Sequence, residues 1–160
     1  MRIRNSLITG LSFGLTSGTI TTLGLMVGLH AGTHSKLAVA GGVLTIAIAD
    51  AFSDALGIHI SQEAGGKKSF REVWESTFAT FFSKFFFALT FLFPVLILPL
   101  TQAIFISVVW GMLTLTFMSC FIAARQKAKP FVIIREHLAI AFITILITHF
   151  IGDFIRVNFN

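Results

Sequence analysis

Five stretches of this chain are apolar enough, and long enough, to leave one class of fold open. They run over residues 7–29, 37–61, 76–98, 103–124 and 136–156, with short polar links between them. A bilayer core about 30 Å thick is crossed by ~20 mostly apolar residues in a helix, and each stretch meets that length. The runs are continuous and do not alternate, which excludes a membrane barrel. In hydrocarbon every backbone N–H and C=O must be satisfied inside the segment, so the runs are read as helices. The expectation is an all-α integral membrane protein, a single domain over residues 1–160 with five transmembrane helices.

Composition closes off the alternatives. Of 160 residues, 55% are apolar and 12% charged, against about 25% charged in an ordinary soluble domain. A chain this small has too little interior to hide so much apolar surface. The net charge is +5, but the lysines and arginines sit in the links and form no aromatic-interleaved patch. Nucleic acid is therefore not an expected partner. The single cysteine, Cys120, has no partner for a disulfide. The apolar stretch after Met1-Arg2-Ile3-Arg4-Asn5 outlasts the core of a signal peptide, about 7–15 residues, and is read as the first helix.

The basic residues are unevenly shared between the two ends of the helices. Arg2, Arg4, Lys67, Lys68, Arg71, Arg125, Lys127, Lys129 and Arg135 fall on one side, and Lys36 and Arg156 on the other. Cytoplasmic loops carry the excess of Lys and Arg, so the N-terminus is expected in the cytoplasm and the C-terminus outside. Trp74 falls where an interfacial anchor belongs. Lys84, in the third helix near its charged end, either pairs with a carboxylate or snorkels to the cytoplasmic surface, and snorkelling is the favoured expectation. Short loops and the lack of a targeting extension point to a prokaryotic plasma membrane.

The chemistry concentrates in the second helix. Asp50 and Asp54 are four residues apart, so they share one face. Ser53, Gly57 and Ser61 are assigned to the same stripe. On insertion scales two mid-helix aspartates cost about 5–7 kcal/mol. The seven strong apolar residues around them return only ~2–4 kcal/mol. The stripe must face protein, water or a bound cation. Carboxylate and hydroxyl oxygens are hard ligands suited to Mg, Ca, Mn and Fe(II). The functional reading is a transport site for a divalent metal ion, or a proton relay. The alternative is an assembly or accessory protein whose aspartates only hold helices together.

Other polar positions are weighed against this pair. Gly10, Gly14, Ser17, Thr21, Gly24 and Gly28 fall within one arc of the first helix. Such small residues let helix backbones approach closely, either within the chain or at a dimer seam where Ser17 and Thr21 line a path. His59 and Glu63 lie near the cytoplasmic end of the second helix, opposite Asp50. They are interfacial polar residues or part of an ion-collecting patch with Glu72 and Glu75. His149 and Asp153 repeat the spacing in the fifth helix and are expected to pair. No Ser–His–Asp order, phosphate-cradling glycine loop or His-Glu-x-x-His motif occurs, so neither an enzyme nor a resident cofactor is expected.

Three segments resemble the vacuolar iron transporter family. They are Gly14-Leu15-Thr16-Ser17-Gly18-Thr19-Ile20-Thr21-Thr22, Ala51-Phe52-Ser53-Asp54-Ala55-Leu56-Gly57-Ile58-His59-Ile60-Ser61, and Ile147-Thr148-His149-Phe150-Ile151-Gly152. The resemblance implies five membrane helices, a homodimer, and export of Fe(II) or Mn(II) from the cytoplasm, usually against protons. Asp50, Asp54, Ser17, Ser53, Thr21, His59 and Glu63 are then the candidate metal-contacting residues. The chain departs from the family pattern at Ser17, where the family has Asp, at Asp54, where it has Met, and at Ile58, where it has Glu. The link 62–75 is too short for the Glu-rich metal-binding segment of plant and fungal members. Exchanging a thioether for a carboxylate shifts preference toward a harder ion such as Mn(II).

Overall fold

The computed structural model describes residues 5–159 as six helices. They are α1 (Asn5–Thr33), α2 (Lys36–Ala64), α3 (Phe70–Thr90), α4 (Leu92–Ile97), α5 (Leu100–Gln126) and α6 (Pro130–Phe159). The fold is all-α. With α3 and α4 taken as one span over Phe70–Ile97, five helices are long and apolar enough to cross a membrane. Arg2 and Arg4, counted in the charge asymmetry above, lie outside the described residues.

Most helices run past their expected ends, although the third span stops at Ile97. The largest differences are at α6, which starts at Pro130 and not near Glu136, and at α3, which starts at Phe70 and not near Ser76. Ser69 and Glu72 form a capping box there, satisfying two orphan N–H groups reciprocally. Its far end is broken by Pro94, which has no N–H to give back to Thr90. The chain turns at Phe91 and resumes helix through Ile97. Lys36 caps the end of α4, its Nζ donating to the carbonyls of Leu96 (2.9 Å) and Leu98 (3.2 Å). A cation there meets the negative pole of the helix dipole.

α1 is the axis of the bundle and touches α2, α3, α5 and α6. Its glycines make this possible, and they do so in two halves. Gly10, Gly14 and Gly18 face α3. A Cβ on Gly14 would collide with Ser83 Oγ and lie 2.6 Å from the Thr80 carbonyl. Gly24, Gly28 and Gly32 face α6, where Gly152 in turn sits against the Gly28 carbonyl. Of the two alternatives for the small-residue arc, its glycines take close packing within one chain. Overpacking of this kind costs about 1–3 kcal/mol. Gly14→Ala should lower stability by that amount in detergent unfolding, and an unchanged midpoint would contradict the α1–α3 contact.

The core is small. Leu23, Met26, Val27, Val39, Val43, Phe91, Val95, Ala103 and Ile104 form its buried cluster. Large apolar side chains stand on the outside, Phe52, Phe86, Phe105, Phe117 and Phe142 among them. On α6 only Ala141 and Gly152 are buried. A helix apolar on its outer face as well as its inner one has the pattern of a membrane span.

Candidate ion site

α2 buries one stripe of small and β-branched residues, Val39, Val43, Ala47, Ala51 and Ala55. Asp50 and Asp54 lie beside that stripe and so come to the seam with α1 and α3. The seam is tight because Gly18 of α1 leaves room for the stem of Lys84, whose Cγ would be 3.0 Å from a Cβ there. Lys84 stands midway along the span Phe70–Ile97 and is 1% exposed. Its Nζ lies 2.5 Å from Asp50 Oδ2 and pairs still more closely with Asp54 Oδ2. It also donates to Ser17 Oγ at 3.0 Å. Ser17 passes its own hydroxyl hydrogen to Asp54 Oδ2, 2.6 Å away.

This corrects the expectation that Lys84 snorkels. Once α3 begins at Phe70, Lys84 is too deep to reach the surface. Two carboxylates in a low-dielectric seam attract its charge far more strongly than they would in water. Pairing with a carboxylate is the less favoured alternative for Lys84 in the sequence, and Lys84 is not placed among the candidate site residues there. The available signal was arithmetic: two acids in one span and a lone base in the next.

The cluster sets two acidic side chains against one basic one. Asp54 takes the hydrogen bonds from both Lys84 and Ser17. Asp50 Oδ2 is buried and meets the ammonium as an ion pair, with no further hydrogen-bond donor. The Asp50 and Asp54 side chains are 23% and 19% exposed, so the cluster is closed on the Lys84 side and open on the other.

The remaining candidates are dispersed. Thr21 donates back to the Ser17 carbonyl and lines a groove of about 660 Å³ between α2 and α6, over the glycines of α1. Ile46 lines it too, so its near end is one helical turn from both Ser17 and Asp50. Ser53, expected on the aspartate stripe, is exposed. It lies diametrically opposite Ala51, which the bundle buries, and so does not reach the cluster. His59 is nine residues on from Asp50, about 14 Å along the helix. It shares a hydrogen bond with Thr77 (2.9 Å), packs on Trp74 and lies 3.4 Å from Glu63. These two form a separate polar end to α2.

At the opposite end of the bundle, Asp153 takes Arg156 at 2.5 Å and not His149 as expected. A guanidinium one turn away carries a full charge and a better donor fork. His30 and His34 rings are 5.3 Å apart, and His30 and His149 line one cavity of about 330 Å³. Among the described residues no group of three His, Cys, Asp or Glu is placed to hold a metal ion.

Comparison with protein-family models, with curated proteins and with solved structures gives no match for this chain.

Proposed function

We propose that the chain is an integral membrane cation transporter whose ion site is the Asp50–Asp54 pair. It exports a divalent ion, Fe(II) or Mn(II), from the cytoplasm in exchange for protons. The observation that carries this is a pair of carboxyl groups set against a single ammonium at mid-span, their side chains still partly exposed. Two carboxyl groups sharing one ammonium away from water are expensive to keep ionised, and a cation or a proton reaching the partly exposed side of the pair offsets that cost. Oxygen donors from Asp50, Asp54 and Ser17 suit a hard ion. The groove that begins at Thr21 offers the way between the site and the far side. Basic residues gathered at the ends of α2, α3, α5 and α6 support a cytoplasmic N-terminus, and a prokaryotic plasma membrane is the proposed location. Uptake of Mn(II) by proteoliposomes under an imposed pH gradient tests this, and flux no faster than in protein-free liposomes would overturn it.

The homodimer is placed on α2. Its outer face carries a small residue every fourth position, Gly41, Thr45, Ala49, Ser53, Gly57 and Ser61, all exposed. A Cβ on Gly41 or Gly57 would meet nothing within 4 Å. Small residues at this spacing are the usual close-packing surface of membrane helices, and here they adjoin the aspartates. Gly57→Leu should leave the fold intact and shift the detergent-solubilised particle from two chains to one, read by light scattering. An unchanged mass would exclude this face as the seam.

A second reading is favoured by the completeness of the Lys84–Asp54–Ser17 hydrogen bonding and by the lack of a three-ligand metal group. In it the cluster is a clamp joining α1, α2 and α3, and the chain is a non-transporting assembly or accessory protein. The two readings part on flux, which the clamp does not support.

A further inference from the structure

The deepest charged group in the molecule is the Lys84 ammonium, and it occupies the space between the two carboxylates that an ion would take. Building on the transport reading above, we infer that Lys84 is a tethered cation that competes with the permeant ion for the two carboxylates.

The reasoning is electrostatic and geometric. With both aspartates ionised and Lys84 in place, one further positive charge balances the cluster. A doubly charged ion brought to the same oxygens would leave the seam with a net positive charge. It would also sit within a few ångströms of an ammonium fixed by three partners, Asp50, Asp54 and Ser17. Repulsion between like charges at such distances is large where water is excluded. A divalent ion therefore enters as Lys84 withdraws from the pair, and Lys84 returns when the ion leaves. The tether gives the ion-free site a partner, so the carboxylates are never left bare in hydrocarbon. The Gly18 gap that seats the lysine stem is the local feature that admits such a side chain. The aspartates keep 23% and 19% exposure away from the lysine, and that is the side from which the ion would arrive.

The test is Mn(II) binding by the purified full chain, titrated calorimetrically for the wild type and for Lys84→Met and Lys84→Arg. Lys84→Met removes the competitor and should bind Mn(II) at least tenfold more tightly. Lys84→Arg keeps a cation there with a planar fork that grips carboxylates in bidentate fashion, and should bind at least tenfold more weakly. Because Lys84→Arg retains the charge, it keeps the test alive should Lys84→Met fail to fold. Affinities equal to the wild type in either variant overturn the inference while leaving the ion site standing. Absence of Mn(II) binding in all three proteins overturns the ion site as well. A gain in Lys84→Met that survives Asp54→Asn in the same chain would place the ion elsewhere and also overturn the inference.

Discussion

Asp54→Asn is expected to abolish cation flux without unfolding the protein. The change removes one carboxylate and leaves Asp50 to pair with Lys84, so the cluster becomes neutral. A neutral cluster sits comfortably in the seam, because the ammonium keeps one anion and the new amide can still accept from Ser17. What disappears is the second carboxylate that draws an ion. One unit charge at about 4 Å and an effective dielectric of about 20 contributes about 4 kcal/mol per unit of ion charge. Initial uptake of Mn(II) by proteoliposomes should therefore fall at least a hundredfold, with the elution profile and helicity unchanged. Asp50→Asn should behave the same way, since it leaves the Asp54–Lys84 pair. Uptake at the wild-type rate in both variants would make the aspartates structural and favour the clamp.

The second large effect is on stability. Breaking a buried ion pair by removing one partner typically costs about 3–5 kcal/mol, because an uncompensated charge is left behind. Lys84 is fully enclosed while its aspartates are partly exposed, which places Lys84→Met near the lower figure, about 3 kcal/mol. The loss should be readable as a lower midpoint in detergent unfolding. It should also be reversible in a specific way. An ion that binds the folded variant and not the unfolded chain stabilises it by about 2.7 kcal/mol at a hundred times its dissociation constant. Mn(II) should thus restore most of the Lys84→Met stability and do little for Lys84→Met carrying Asp54→Asn. A Lys84→Met protein as stable as the wild type in metal-free buffer would mean that the carboxylates do not need a cation.

Much of the architecture is legible in the sequence because length and continuous apolarity fix membrane-spanning helices almost alone. The ends are less legible. Arg71, Glu72 and Glu75 read as a polar link, yet Ser69 and Glu72 cap a helix that carries those charges through its first turns. That shift of start is what carries Lys84 from a helix end to its centre. The aspartate pair is plain from its spacing and cost. Its partner is not, because helix periodicity says which face a residue takes but not which helix will lie against it. The glycines of α1 show the same limit. Their arc announces a close approach, whereas only the fold reveals that one half serves α3 and the other α6. Ser53 falls outside the site because the burial of Ala51 and Ala55 rotates it outward, a detail that a coarse stripe does not resolve.

Infrared difference spectroscopy of the reconstituted protein, perfused alternately with and without Mn(II), looks at the carboxylates themselves. An ion seated between Asp50 and Asp54 predicts a shift in the carboxylate stretching bands that is present in the wild type and absent in Asp54→Asn. A spectrum that does not respond to the ion, or one that responds identically in both proteins, would contradict the account.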